Sequence, residues 1–414
     1  MPTSEPLDLA SLTKIDYSRL HLVFNPFPAV GIPEEIPATT ADRAEILDRF
    51  KEILRQGLFE NRSTVTVLTG DYGAGKSHLL KYLKYRINTQ LLTSKDRALG
   101  VYVKSVGRGF RDLYLYFIDD VGRDFLTGFS EALIRSHLAK ADDEGSRYVF
   151  DKNLAGKHPL SKGIGLFLKS ARYKDLFHDI AKSFQTFRNK NVMNSFLTLA
   201  HPDYSSIAWR WLIGERLDNS EQELLGVDGI IDDAKAAQSS FQAIVSLLLA
   251  SGIKSVALML DEFENFSLIP RLTRERYMDD VRHFIDDNPN GVALIIAATP
   301  FAYKDLSDPP SALTRRLAGN AFELKFFNQA EIEELITRYL QIGRRGKSVP
   351  SSALDGHPQT TADIYPFTRD AIKRIDERTR GLVSSVVNLC RESIDKATSG
   401  PDLIDSKLID SITF

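Results

Sequence analysis

Residues 63–83 read STVTVLTGDYGAGKSHLLKYL, and this stretch decides the fold. Residues 63–68 are rich in β-branched side chains, which is typical of a buried strand. Three glycines, Gly70, Gly73 and Gly75, follow at once and favour a tight turn, after which we expect a helix. The stretch therefore predicts a strand, a glycine-rich loop and a helix in direct succession.

The loop has the spacing of a phosphate-binding loop, because residues 70–77 fit G-x-x-x-x-G-K-[ST] in full. Its glycines let successive backbone N–H groups point at phosphate oxygens, and the helix N-terminus adds positive potential. We expect Lys76 to reach the β- and γ-phosphates of ATP and Ser77 to be a ligand of Mg²⁺. His78 is included among the nucleotide contacts, with a structural role at the helix start as the alternative. The predicted contacts are Gly70, Asp71, Tyr72, Gly73, Ala74, Gly75, Lys76, Ser77 and His78.

Further stretches are predicted to be strands of the same sheet. SVALML at 255–260 and VALIIAA at 292–298 are continuous apolar runs, the pattern of strands that helices cover on both faces. Another strand is predicted at 100–106. Helical patterns separate these strands, which favours an α/β fold with a parallel sheet. We expect a P-loop NTPase with a large helical insertion and a C-terminal helical domain.

Changes of pattern divide the chain into regions. Six prolines punctuate residues 1–40, which we expect to form an N-terminal arm. Residues 41–325 are predicted to be the nucleotide-binding core, interrupted by a mainly helical insertion at about 107–235. Residues 326–414 are predicted to be a small helical domain that acts as a lid.

Two carboxylates follow one of the predicted strands. LMLDE at 258–262 is an apolar run that ends in Asp261 and Glu262. A Mg·nucleotide site needs a carboxylate at the carboxyl edge of the sheet, where the phosphate-binding loop also opens. We expect Asp261 to hold Mg²⁺ through water and Glu262 to orient the attacking water, while Glu264 is expected on a solvated face or in a salt bridge.

A hydroxyl and two guanidinium groups are further candidates. Thr299 ends the 292–298 strand at the same edge, where it either contacts the γ-phosphate or merely terminates the strand before Pro300. Arg315 and Arg316 lie near a helix end, and an arginine can stabilise charge on the γ-phosphate of a neighbouring subunit. The alternative for this pair is a surface position.

Composition limits the classes of protein. The chain has 414 residues and a net charge of −2, which excludes a uniformly basic nucleic-acid coat. Its single cysteine, Cys390, excludes an intramolecular disulfide and fits a reducing compartment. No apolar run reaches about 18 residues, so we expect no membrane span and a cytoplasmic protein.

One segment stands apart in charge. Residues 151–190 contain seven Lys, two Arg and three Asp, a net charge of +6, with aromatic residues interleaved. Lysines can neutralise phosphates of double-stranded DNA while exposed rings stack on bases. The alternative is an amphipathic helix that buries its aromatic stripe and exposes its lysines.

The ordered set of motifs resembles that of AAA+ ATPases. Asn25-Pro26-Phe27 at the front, and the segments 367–372 and 381–390 at the end, are similar to the origin-recognition and transposon-regulator type. The resemblance implies a γ-phosphate role for Thr299, a finger at Arg315 or Arg316 that acts in trans, and ATP bound between subunits of a homo-oligomeric ring or filament. It also implies that the N-terminal segment lies against the adenine.

Two departures from that pattern bear on function. The lid motif of the family carries an arginine where this chain has Ser384, so Arg380 or Arg391 would have to replace it. Lys76 and Asp261 are 185 residues apart, a long spacing because of the insertion. A large helical insertion with Asp-Glu-Phe-Glu at 261–264 also resembles the ATPases of BREX-type phage-defence systems.

Two functions follow as expectations. The first is a Mg-dependent, oligomeric AAA+ ATPase coupled to assembly or remodelling on DNA, in a mobile-element or phage-defence system. The second is a nucleotide-switched signalling or scaffold ATPase that binds a protein partner through the 107–235 insertion without DNA.

Overall fold

The structure is a computed structural model that describes residues 15–29, 44–60, 62–142, 179–180, 182, 189–307 and 320–413. It comprises two compact units. The first contains the described parts of 1–46, 70–82 and 324–414, and the second those of 47–69 and 83–323. In the part of the chain that is described, no helix combines the length and apolar character needed to cross a membrane.

In the described residues, strands and helices are interspersed up to β5, with six helices between β2 and β3, and only helices follow β5. The strands are β1 (Thr64–Thr69), β2 (Ala98–Val103), β3 (Ser255–Leu260), β4 (Val292–Ala298) and β5 (Ala321–Glu323). The helices are α1 (Ala44–Phe59), α2 (Lys76–Gln90), α3 (Phe110–Val121), α4 (Arg123–Asp142), α5 (Lys190–Thr198), α6 (Ser205–Leu212), α7 (Asn219–Leu225), α8 (Ala234–Ala250), α9 (Arg271–Asp287), α10 (Pro300–Ser307), α11 (Gln329–Arg344), α12 (Arg369–Thr379), α13 (Val383–Ala397) and α14 (Ser406–Asp410). Short 3-10 helices lie at Ser18–Leu20, Phe263–Leu268 and Ser351–Ala353.

The second unit is built on a parallel sheet in the order β2-β3-β4-β1-β5. Every residue of β2, β3 and β4 is buried, which explains their continuous apolar sequences. The predicted α/β fold with a parallel sheet is confirmed. The strands predicted at 255–260 and 292–298 are present with those bounds, whereas β1 lies one residue later than predicted and β2 begins two residues earlier and ends three residues earlier.

The register aligns the carboxyl ends of three neighbouring strands. Thr69, the last residue of β1, pairs with Ala298 of β4, and Leu260 of β3 pairs with Ile296. The residues that follow these strands, Asp261 after β3 and Thr299 after β4, therefore leave the sheet at the same edge.

Side chains close the outer edge of β2. Asn88 of α2 donates to the carbonyl oxygen of Gly100 and accepts from its N–H, at 3.0 and 2.7 Å. Asp120 of α3 accepts from the N–H of Tyr102 at 2.8 Å and is paired with Lys84 of α2 at 2.6 Å. These bonds satisfy strand groups that would otherwise be open to pairing with another chain.

The described helices between β2 and β3 share the core of the sheet unit. Phe241 of α8 lies 4.1 Å from Phe117 of α3 and 4.4 Å from Phe284 of α9, measured between ring centroids. The apolar residues that recur at helical spacing from Leu113 to Leu133 are divided between two helices, because Gly122 at φ 81° ends α3. The basic segment 151–190 lies outside the described residues except for residues 179, 180, 182, 189 and 190.

The first unit joins the N-terminal segment to the C-terminal helices. Asp395 of α13 accepts hydrogen bonds from Tyr17 at 2.7 Å and Asn25 at 2.8 Å. Arg391, one turn earlier on α13, donates to the carbonyl oxygen of Phe27 at 2.7 Å. Phe27 itself is fully buried in the core of this unit. The segment therefore belongs structurally to the helical unit.

Candidate nucleotide and catalytic residues

The phosphate-binding loop has the backbone that its glycines make possible. Gly73 and Gly75 have φ values of 78° and 94°, a backbone conformation that residues with a Cβ rarely adopt. The ammonium group of Lys76 donates to the carbonyl oxygens of Gly70 at 2.7 Å and Asp71 at 3.1 Å. Lys76 is only 7% exposed, so its charge is held at the loop.

The side chains of the remaining loop residues differ in exposure. Tyr72 is 71% exposed, and its ring centroid is 5.7 Å from the Lys76 nitrogen, within range of a cation–π contact. Ala74 is buried, while Ser77 and His78 are half-buried in the first turn of α2. The hydroxyl of Ser77 thus lies on the helical turn that directly follows the glycines.

Within the first unit, the loop lies directly against the N-terminus of α13. The carbonyl oxygen of Gly73 accepts a hydrogen bond from the N–H of Ser384 at 3.1 Å. A Cβ on Gly73 would meet the Leu382 side chain at 3.1 Å and the Ser384 hydroxyl closer still. Position 384, where the resembling family carries an arginine, is therefore beside the phosphate-binding loop.

The proposed substitutes for that arginine have different surroundings. Arg391 binds the carbonyl oxygen of Phe27, and so it holds the N-terminal segment. Arg380 ends α12 with a left-handed backbone at φ 51°, and its side chain is exposed.

Asp261 is a buried carboxylate with both oxygens engaged. It is 1% exposed. Its Oδ2 accepts a hydrogen bond from the hydroxyl of Tyr102 at 2.6 Å, and its Oδ1 accepts from the N–H of Glu262 at 2.9 Å. Its own N–H extends the β-ladder to the carbonyl oxygen of Val103 at 2.9 Å. The carboxylate is thereby fixed in one orientation at the end of β3.

Glu262 occupies a strained and partly desolvated position. Its φ of 50° is left-handed, which costs a residue with a Cβ about 1–2 kcal/mol. Burial raises the pKa of Glu262, and the neighbouring charge of Asp261 raises it further, whereas Lys104 acts in the opposite direction. Its carboxylate accepts from Asn265 at 3.2 Å. A carboxylate of raised pKa is suited to accept a proton.

Glu264 differs from expectation. The residue is half-buried, and among the described residues its buried Oε2 has no hydrogen-bond partner, so this oxygen does not lie on a solvated face.

Thr299 has a structural role that its sequence context only partly indicated. Its hydroxyl oxygen accepts from the N–H of Ala302 at 3.2 Å, and its carbonyl oxygen accepts from Tyr303 at 2.9 Å. Thr299 therefore caps α10. The hydroxyl hydrogen is a separate donor, so the cap does not preclude a contact to a ligand. Arg315 and Arg316 lie outside the described residues.

The donor chemistry fits Mg²⁺. In the described ranges no group of three or more His, Cys, Asp or Glu side chains is placed to hold a metal ion. Mg²⁺ does not require such a group, because it commonly takes one or two protein oxygens together with waters and substrate phosphates. The hydroxyl of Ser77 and the carboxylate of Asp261 are oxygen donors of this kind.

Sequence reasoning missed Tyr102, which donates to Asp261. Tyr102 pairs with Met259 in the sheet, and Asp261 lies two residues beyond Met259, just past the end of β3. The only signal in the sequence is a hydroxyl-bearing aromatic residue in an otherwise apolar strand. That signal can be used only when the pairing of β2 with β3 is known.

Comparison with known proteins places the chain near ATP-binding proteins. Residues 199–335 match the family model of BREX system ATP-binding protein BrxC/D, which confirms the resemblance over that segment. No curated protein matches the chain.

Two solved structures are similar at low identity. The ORC2 protein of Aeropyrum pernix, in its ADPNP-ADP complexes, is 12% identical in sequence and has a TM-score of 0.46. The aligned region covers 91% of this chain and 68% of the ORC2 chain. Drosophila ORC bound to DNA is 11% identical in sequence and has a TM-score of 0.41. The aligned region covers 99% of this chain and 67% of the matched ORC chain. The fold is established by the strand order and register.

Proposed function

We propose that this chain is a Mg²⁺-dependent ATPase. The observation that carries the proposal is the placement of catalytic residue types along one sheet. β1 leads directly into a phosphate-binding loop with two left-handed glycines, and Asp261 and Glu262 follow β3 directly. β4, which leads into Thr299, lies between those two strands.

Each residue has a role that its surroundings support. Lys76 and the loop N–H groups would bind the β- and γ-phosphates, and Ser77 and Asp261 would hold Mg²⁺, which supplies charge stabilisation to the phosphates. Glu262 would orient the attacking water and accept its proton, for which a raised pKa is favourable. Thr299 would donate its hydroxyl hydrogen to the γ-phosphate or to that water.

Homo-oligomerisation is part of the proposal. An arginine that reaches the γ-phosphate from a neighbouring subunit would stabilise charge in the transition state. Arg315 and Arg316 are the candidates, and both single alanine variants are to be assayed at concentrations where the protein assembles. Loss of turnover in one of them supports a finger, and full activity in both contradicts it.

The test of the ATPase is steady-state phosphate release with Lys76→Ala as the blank. Wild-type turnover that requires Mg²⁺ and is absent from Lys76→Ala supports the proposal. Equal release by both proteins contradicts it.

DNA is the partner we propose for this ATPase, in a phage-defence setting. The net charge of +6 over 151–190 supports it, as does the family match to BREX system ATP-binding proteins. Duplex DNA at low salt should stimulate phosphate release, and added salt should remove the stimulation. A rate indifferent to DNA would instead favour a protein partner bound through the 107–235 insertion.

A further inference from the structure

We propose that Tyr102 is a positioning residue for the Mg²⁺ site, acting through the carboxylate of Asp261. This inference rests on the proposed ATPase function. Tyr102 is 8% exposed and Asp261 is 1% exposed, so their 2.6 Å hydrogen bond is shielded from water. A bond of that length to an ionised acceptor is among the stronger hydrogen bonds in proteins.

The bond decides which way the carboxylate faces. Oδ1 of Asp261 is held by the N–H of Glu262, and Oδ2 by the hydroxyl of Tyr102. With a donor on each oxygen, rotation about the last side-chain bond would break both contacts. Each oxygen keeps a further lone pair that can accept from a metal-bound water.

The backbone of Tyr102 is itself held at the outer edge of β2, the edge that faces away from β3. Its N–H donates to Asp120 at 2.8 Å, and Asp120 is paired with Lys84 of α2 at 2.6 Å. Burial raises the pKa of Asp120, and the bonds from Lys84 and Tyr102 oppose that effect. Within the second unit, the carboxylate of Asp120 therefore links Lys84 to the strand that orients Asp261.

Partners that orient a metal ligand commonly contribute about 10- to 100-fold to metal affinity or activity. Tyr102→Phe removes the hydroxyl and keeps the ring, so the packing of β2 is conserved. The expected result is a rise of about 10-fold in the Mg²⁺ concentration that half-saturates nucleotide binding. Binding of the nucleotide in the absence of Mg²⁺ should stay at the wild-type level.

The experiment titrates Mg²⁺ into protein mixed with a fluorescent ATP analogue and follows fluorescence anisotropy. The matched control is Tyr114→Phe, because Tyr114 is also buried in the second unit and its hydroxyl donates to a backbone carbonyl, that of Leu212, at 2.7 Å. Tyr114→Phe should leave the Mg²⁺ half-saturation unchanged. Equal half-saturation in both variants and the wild type would overturn the role of Tyr102.

A double-mutant cycle separates positioning from a general loss of structure. Asp261→Asn should raise the half-saturation by itself, and Tyr102→Phe should add nothing in that background. Additive effects would overturn the inference. Should Tyr102→Phe fail to fold, Asp120→Ala decides, because it removes the acceptor of the Tyr102 N–H. It should shift the half-saturation several-fold in the same direction, and no shift would contradict the proposal.

The same titration distinguishes failure of this inference from failure of the proposed function. If the wild type binds the analogue with Mg²⁺ and Tyr102→Phe is identical to it, only the role of Tyr102 is wrong. If the wild type binds no analogue, the ATPase proposal is wrong and the inference falls with it.

Discussion

The phosphate-binding loop and the carboxylate end of β3 are built in different ways. The loop is determined by residues that are close together in sequence, since Gly73 and Gly75 adopt left-handed backbones and Lys76 binds the carbonyl oxygens of Gly70 and Asp71. The carboxylate end depends on distant residues, because Asp261 is oriented by Tyr102, 159 residues away in the chain. Local chemistry can be recognised in a sequence, whereas chemistry assembled across strands requires their pairing.

Lys76→Ala should have the largest effect, because it removes the charged donor of the loop. We expect turnover to fall by more than about 100-fold, with weakened binding of ATP. Phosphate release and nucleotide binding measure the two effects. Lys51→Ala is the control, since Lys51 is a surface lysine paired with Asp48 at 2.7 Å. Comparable losses in both variants would show that the effect is not specific to the loop.

Glu262→Gln should separate binding from catalysis. The amide keeps the shape of the side chain but accepts no proton, so we expect turnover to fall by about 10²- to 10⁴-fold while ATP still binds. Single-turnover hydrolysis alongside nucleotide binding measures this. Glu275→Gln, in an exposed pair with Arg271, should be silent. Normal turnover by Glu262→Gln would refute the catalytic role of Glu262.

Gly73→Ala should affect the loop and its packing together. The left-handed backbone costs alanine about 1–2 kcal/mol, and the added Cβ would press on Leu382 and Ser384. We expect a lower melting temperature and weaker nucleotide binding. Gly128→Ala is the control, because a Cβ there meets nothing within 4 Å. A Gly73→Ala protein as stable as the wild type would contradict the role of the turn.

Thr299→Ala should have the smallest effect of the four variants, a modest loss of stability. Loss of the cap on α10 is expected to cost about 1 kcal/mol, measured by chemical denaturation. Thr299→Asn keeps a capping oxygen but changes the group presented to a ligand. If Thr299 acts on the γ-phosphate, turnover should fall in both variants while stability falls in the alanine variant alone. Normal turnover in both would leave Thr299 with the cap as its role.

Much of the fold could be predicted from the sequence, because several of its strands are continuous apolar runs. SVALML and VALIIAA have the bounds of β3 and β4, since burial on both faces demands continuous apolar side chains. β2 was placed less well, because the prediction omitted Ala98 and Leu99 and continued past Val103 to residue 106. The end of α3 at Gly122 depends on a backbone conformation that the spacing of apolar residues does not reveal.

The sequence predicts some residues of the candidate site and misses others. Positions of the loop and of Asp261 and Glu262 follow from local motifs, although their roles remain proposals. The cap formed by Thr299 is a local contact to Ala302, whereas the hydrogen bond from Tyr102 to Asp261 depends on packing between strands. Such contacts are determined by strand order, and the order β2-β3-β4-β1-β5 is not the order of the chain.

The central claim is that this chain hydrolyses ATP with Mg²⁺, and the most direct test is phosphate release by wild type, Lys76→Ala and Glu262→Gln in parallel, with and without EDTA. We predict release by the wild type alone, its loss on chelation, and retained nucleotide binding by Glu262→Gln. Equal release by all three proteins, or release that EDTA leaves unchanged, would contradict the claim.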